Sequence, residues 1–199
     1  QGTAAIAGRS LAQLLRTMVD HRVQVDALPA TELSGFQLQL DMTDTLIIAI
    51  SQSGTTTDTN RTVDLARTRG ASVLAIVNRR GSELSAKADG VLFTSDGRDV
   101  EMSVASTKAF YSQVAAGALL SCAISAALGT GTNDDRHQLL TALRTIPDAM
   151  FQVLALRPQI AEAARQFAPA RRYWTVVGNG FNAVAAEEVR IKLSELCYK

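Results

Sequence analysis

Seven consecutive residues, Ser51-Gln52-Ser53-Gly54-Thr55-Thr56-Thr57, gather five hydroxyls, an amide and a glycine into one short stretch. Placed where a strand gives way to a helix, such a set is equipped to hold a phosphate. Backbone N–H groups at a helix start lack intrahelical partners, the macrodipole has its positive end there, and hydroxyls complete the hydrogen bonds. The competing use of the same side chains is capping, in which Ser51 or Ser53 merely satisfies a backbone donor. A single serine reads as a cap, the whole cluster as a phosphate turn. A second segment, Ser103-Val104-Ala105-Ser106-Thr107-Lys108, precedes a long apolar stretch. There Ser106 and Thr107 can act as caps or ligand donors, and Lys108 can pair with a phosphate or stand in solvent. The third constellation is Glu188, Lys192 and Glu195, spaced four and three apart and so on one helix face. A carboxylate beside a lysine facing a cleft can move protons next to a ligand's carbonyl group. Spacing alone equally describes a surface ion pair worth a few tenths of a kcal/mol.

Other chemistries find less support. No Gly-Lys-Ser/Thr follows a glycine-rich loop, and Gly178-Asn179-Gly180 does not extend to a dinucleotide fingerprint. His21 and His137 are isolated in polar stretches and read as surface residues, so no metal is expected. Cys122 and Cys197 lie far apart with no CxxC, and are expected to be buried, reduced thiols, in keeping with a cytoplasmic setting. Twenty basic residues against nineteen acidic ones leave a net charge of +1 with no block of either sign, which gives a nucleic-acid partner little support. The longest apolar run, Val114 to Leu128, is shorter than the roughly twenty residues of a membrane span. It is expected to be a helix buried between a sheet and a neighbouring subunit or domain. No signal peptide is legible at the start.

The elements that must position these residues follow from periodicity. Leu46 to Ile50 is a short continuous apolar run ending in the serine-rich turn, the pattern of a strand buried on both faces. Thr55 to Arg69 carries Thr62, Leu65 and Ala66 at helical spacing and closes at Gly70. Ser72 to Val77 is a second strand, Ser82 to Ala88 a short helix and Gly90 to Thr94 a third strand. This rhythm predicts right-handed βαβ units in an α/β fold, a three-layer α-β-α sandwich with a parallel sheet of flavodoxin-like topology. Upstream, Ala5 to His21 is predicted helical and Val23 to Ala27 a strand, while Gln1-Gly2-Thr3 reads as the turn after a strand that lies before the chain begins. Downstream, Val104 to Leu128 is predicted as one helix, and Asp134 to Ala168 as two helices broken near Pro147 and Pro158. Tyr173 to Val177 is predicted as a new buried strand leading into a helix from Ala183 to Lys199. Residues 1–168 then form one domain and 169–199 open a second, related one.

Three segments together resemble one family. Ile48-Ala49-Ile50-Ser51-Gln52-Ser53-Gly54 with Thr56, then Val104-Ala105-Ser106-Thr107-Lys108-Ala109-Phe110, then Lys192-Leu193-Ser194-Glu195-Leu196-Cys197-Tyr198, are similar in order and spacing to the sugar isomerase (SIS) domains of glutamine–fructose-6-phosphate aminotransferases. The resemblance implies that Ser51, Gln52, Ser53 and Thr56 grip a sugar phosphate and that Val104 and Ser106 contact the sugar. It implies that Glu195 shuttles a proton between sugar carbons one and two, with Lys192 and Glu188 as its companions. The implied ligand is a hexose phosphate, fructose 6-phosphate or glucosamine 6-phosphate. The implied assembly is a homodimer, and no organic cofactor is called for. A non-catalytic sugar-phosphate sensor, and a deglycase or aldose–ketose isomerase of the same fold, are the alternatives. Ala4 stands where the family usually has a serine, Thr55 where an acidic residue is common, and Asp99 to Met102 depart from the usual approach to the second segment. The family's ring-opening histidine and C-terminal lysine are expected beyond Lys199 and its glutaminase domain before Gln1, so these 199 residues alone are expected to bind but not to turn over.

Overall fold

Strands β1 (Leu46–Ser51), β2 (Ser72–Val77) and β3 (Gly90–Phe93) lie side by side in that order, all parallel. The register pairs Ile47 with Val73, Ala49 with Ala75, and Ala75 in turn with Val91. The computed structural model describes residues 2–98, 100–103 and 105–197. Because successive strand side chains point to opposite faces, the apolar runs supply two cores. On one face Ile48, Ile50, Leu74, Ile76 and Leu92 meet Leu11, Leu15 and Val19 of the first helical segment and Leu120. On the other, Ala49, Val73 and Ala75 meet Val63 and Leu84.

The helices are α1 (Gly2–Met18), a short α2 (Ala30–Glu32) running into a π-helical turn, α3 (Thr57–Arg67), α4 (Glu83–Lys87), α5 (Lys108–Ala127), α6 (Asn133–Ala155), α7 (Arg157–Phe167) and α8 (Phe181–Cys197). Helices α1 and α5 cover the first sheet face and α3 and α4 the second, giving the expected three-layer α-β-α sandwich. α1 and α5 approach closely at Gly117, where an added Cβ would stand 3.1 Å from Leu11 Cβ. Leu15 is 4% exposed in this seam, and its truncation to alanine would cost about 2–5 kcal/mol. α5 is long and apolar enough to cross a membrane, but it is half buried against α1 and the sheet, as a core helix would be.

Several elements differ from expectation. Residues 23–27 form no strand: Val23 is exposed, and Val25 spends its carbonyl on Arg16 Nε at 2.7 Å instead of on a sheet neighbour. Gly2 and Thr3 are not a turn but the start of α1, with Gly2 at φ +56°. α5 begins at Lys108 and not at Val104, which lies outside the described residues. Pro147 sits inside α6 without ending it, and the break falls at Leu156, with Pro158 in the first turn of α7 where its missing N–H costs nothing. Tyr173 to Val177 form no strand, and Tyr173 and Val177 are 80% and 88% exposed. A strand needs a neighbour to pair with, and the described sheet ends at β1 and β3, far in sequence from this stretch. Cys122 is buried but Cys197 is exposed, and both are free thiols.

Candidate functional site: a hydroxyl-lined cavity between a strand-end turn and an acid–base helix

Where β1 ends, the chain must reverse tightly to enter α3, and Gly54 makes this possible. It adopts φ +67°, and a Cβ there would stand 2.2 Å from Ser82 Oγ and 2.9 Å from Val77 Cγ2. Its carbonyl accepts from Leu84 N–H at 3.0 Å and from Asn60 Nδ2 at 3.1 Å, which clamps the turn against α3 and α4. Asn78 N–H donates to the Gln52 carbonyl, tying the same turn to the end of β2. Ser51 Oγ accepts from Gly54 N–H at 3.0 Å, and Ser53 Oγ from Thr55 N–H at 3.2 Å. Each serine oxygen is thus held by a backbone donor while its own hydrogen can still be given to a ligand. Thr56, the residue before α3, makes no side-chain cap.

A second helix start reaches the same cavity and is already occupied. Glu101 accepts from Thr107 N–H (2.9 Å), Thr107 Oγ1 (2.6 Å), Ala109 N–H (2.9 Å) and Ser106 Oγ (3.3 Å), so its carboxylate fills the N-terminus of α5. Burial pushes this carboxyl upward, but the bonds from Thr107, Ala109 and Ser106 together outweigh it and hold Glu101 below the ordinary carboxylate range. Gln52 joins the two rims: its Nε2 donates to the carbonyls of Glu101 at 3.0 Å and Ser103 at 3.1 Å. Lys108 is exposed and does not line the cavity.

The third wall comes from α8. Its inner face, through Val184 and Ile191, packs against Ile6, Ala7 and Phe110, and Arg9 of α1 pairs with Glu187. This docking brings Thr3 to the acid–base residues. Lys192 Nζ donates to Thr3 Oγ1 at 2.9 Å and to Glu195 Oε2 at 2.8 Å, and lies 3.4 Å from Glu188 Oε1. Thr3 Oγ1 in turn donates to Glu188 Oε1 at 3.3 Å. Burial raises the Glu188 carboxyl above its ordinary range, opposed by the Lys192 charge and helped by the neighbouring Glu195. Glu195 is the member of the trio that opens into the cavity. A buried carboxylate and an ammonium thus orient an accessible carboxylate, an arrangement suited to proton transfer.

The cavity has a volume of about 450 Å³, room for a phosphorylated hexose. Ser51, Gln52, Ser53, Thr56, Ser106 and Glu195 all line it, so residues from three distant segments share one space. Lys192 and Glu188 stand behind Glu195, and Val104 falls outside the described residues. Ala4 lines the cavity too, presenting a methyl group where a serine would offer a hydroxyl. Thr3, Glu101 and Gln113 went unread in the sequence as site residues. Only Gln113, a large polar residue at a buried position of a largely apolar helix, left a signal that periodicity could detect. Among the described residues no group of His, Cys, Asp and Glu could hold a metal ion.

A parallel α/β sandwich with a hydroxyl-rich turn at a strand's carboxyl end places the chain among the open-sheet α/β proteins, whose ligands collect outside the carboxyl ends of the strands. Residues 1–123 match the SIS domain family, and the chain belongs to it. Over 197 residues it is 38% identical to the glutamine–fructose-6-phosphate aminotransferase of Halobacterium salinarum, covering 99% of this chain and 32% of that protein. It is likewise 38% identical over 187 residues to the enzyme of the same name from Mycolicibacterium smegmatis, covering 93% of this chain and 29% of that protein. The chain therefore spans about a third of the length of the curated relatives it matches. Among solved structures, the C-terminal domain of glucosamine-fructose-6-phosphate aminotransferase from Francisella tularensis superposes with TM-score 0.89 at 25% identity, over all of this chain and 55% of that one. Tagatose-6-phosphate ketose/aldose isomerase from Escherichia coli shares the fold with TM-score 0.66 at 21% identity, over 98% of this chain and 51% of that one.

Proposed function

We propose that the chain is the hexose-phosphate-binding isomerase portion of an enzyme that converts fructose 6-phosphate and glutamine to glucosamine 6-phosphate. The observation that carries this reading is one cavity bounded by an uncapped helix start with its serine turn at one side and by Glu195 at the other. The phosphate sits at the turn, held by the Ser51, Ser53 and Thr56 hydroxyls and the first N–H groups of α3, with Gln52 fixing the turn to the opposite rim. Carbons one and two then face Glu195. Once the carbon-two carbonyl has become an imine, Glu195 takes a proton from carbon one, the C–H pair becomes the second carbon-one to carbon-two bond and the C=N pair moves onto nitrogen, which is protonated. Carbon two then takes the proton back from Glu195 while the carbon-one hydroxyl gives up its own proton and becomes the aldehyde. Lys192 holds Glu195 in place and offsets its charge, while Glu188 and Thr3 hold Lys192. No step in this portion calls for a metal or an organic cofactor.

Residues 1–168 form one SIS domain in this reading, and 169–199 open a second whose helix α8 serves the first. The similarity to aminotransferases along 99% of the chain supports it. Exposed apolar residues on α5 and at its C-cap, Leu119 and Leu128, support pairing as a homodimer. A cytoplasmic setting, proposed alongside, accords with the free thiols of Cys122 and Cys197.

A non-catalytic sensor is the second reading, favoured by Ala4 where a sugar-contacting hydroxyl would stand. The discriminating experiment is solvent exchange. Incubated in deuterium oxide with glucosamine 6-phosphate, the intact protein is expected to incorporate deuterium at carbon one or two, read by proton NMR. Binding without exchange would leave the sensor as the correct reading.

A further inference from the structure

Gln113 lies on the inner face of α5, between Phe110 and Gly117, where the helix turns its apolar side to α1 and the sheet. It is 1% exposed, and neither its Nε2 nor its Oε1 has a hydrogen-bond partner. Proteins seldom leave a buried amide in this condition. The same helix treats its other buried polar groups differently: Ser121 Oγ donates to the Gly117 carbonyl at 2.9 Å, and Ser125 Oγ to the Thr130 carbonyl at 2.7 Å. Elsewhere among the described residues, Asn60, Asn78 and Glu188 each have one unpaired buried atom, but each pairs its other end. Gln113 is the amide with both ends unpaired, and unlike Asn60, Asn78 and Ser82 it lines the cavity.

We propose that Gln113 is a recognition residue for the hydroxyls of the bound sugar's middle carbons. The inference rests on the sugar-phosphate reading of the cavity. With the phosphate at the Ser51–Thr56 turn and carbons one and two at Glu195, carbons three to five face the rest of the lining, where Ser106 and Gln113 are the buried polar side chains from α5 and its approach. An amide offers a donor and an acceptor side by side, and neighbouring sugar hydroxyls offer the same pair in return. Being neutral, it adds no pull on the phosphate, so its contribution is to select a polyhydroxylated chain over a bare phosphate. Its rigid place on a packed helix makes it sensitive to which hydroxyls are present and on which side of the carbon chain they lie.

The test is calorimetric titration of the intact protein and its Gln113→Leu and Gln113→Met variants with fructose 6-phosphate and with inorganic phosphate, beside ligand-free thermal melts. Removing the amide is expected to weaken fructose 6-phosphate by about tenfold, the loss of one or two neutral hydrogen bonds, and to leave inorganic phosphate binding unchanged. The ligand-free melting temperature is expected to hold or rise, because an apolar side chain of similar volume replaces an unpaired amide. Equal affinity for fructose 6-phosphate in wild type and both variants would overturn the role of Gln113 while leaving the sugar-phosphate site intact. Parallel loss of both ligands with lowered melting temperatures would overturn it as well, by making Gln113 a structural residue. A folded wild type that binds neither ligand would overturn the site reading itself, and this inference with it.

Discussion

The turn at Ser51–Thr56 is shaped by bonds between near neighbours and between adjacent strand ends, whereas Thr3 and Glu188 meet across 185 residues. The first needs only that β1, β2, α3 and α4 form, a block of consecutive elements with its own core. The second needs α8 to dock on α1 through Ile6, Phe110, Val184 and Ile191. On the proposed function, grip on the phosphate and proton transfer are therefore separable: a local change at the turn should remove binding, and a change on α8 should remove chemistry while binding persists.

The sharpest break is Glu195→Gln in the intact protein. Turnover is expected to fall roughly 10²–10⁴-fold, the usual contribution of a general acid–base group, with hexose phosphate still bound in a titration. Gly54→Ala attacks the other end. A residue forced to φ +67° with its Cβ inside the Ser82 side chain should destabilise the protein by about 1–3 kcal/mol and abolish phosphate binding, read by urea unfolding and calorimetry. Glu101→Gln keeps the shape but weakens the charged anchor of α5, with an expected cost of about 1 kcal/mol at neutral pH. Because the Glu101 carboxyl is held low in the folded protein, its stabilisation is present above the ordinary carboxylate range and is lost as pH falls through the depressed value. The gap between wild type and variant should close in acid. Glu188→Gln should show the opposite sign. The Glu188 carboxyl is raised by burial, so wild type loses stability as pH rises through that raised value and the variant does not. Melting temperatures across the acid range would show the variant gaining on wild type as pH rises.

The same division governs what could be read from the amino acids. β1, α3, β2, α4 and β3 were legible within a residue or two because apolar runs, a glycine stop and a helical repeat agree with the structure these segments adopt. The place of the Ser51–Thr56 turn between β1 and α3 was legible too, since its residues are contiguous. Residues 173–177 have the composition of a strand, but composition does not supply a pairing partner, and Val177 lies exposed. The Glu188, Lys192 and Glu195 face could be drawn from spacing alone, while the threonine that completes it sits near the other end of the chain. Glu101 was hidden for a related reason: its carboxylate caps a helix that begins seven residues later, through a loop whose path no periodicity describes.

The central claim is that the serine turn holds the phosphate of a sugar whose carbonyl end faces Glu195. Its most direct test is calorimetric titration of the intact protein with fructose 6-phosphate and with unphosphorylated fructose, for wild type and Ser53→Ala. Phosphate-dependent binding that weakens by about 1–3 kcal/mol in the variant, as for the loss of a charge-assisted hydrogen bond, is the predicted result. Fructose binding as tightly as its phosphate, or a Ser53→Ala protein that binds fructose 6-phosphate as well as wild type, would contradict it.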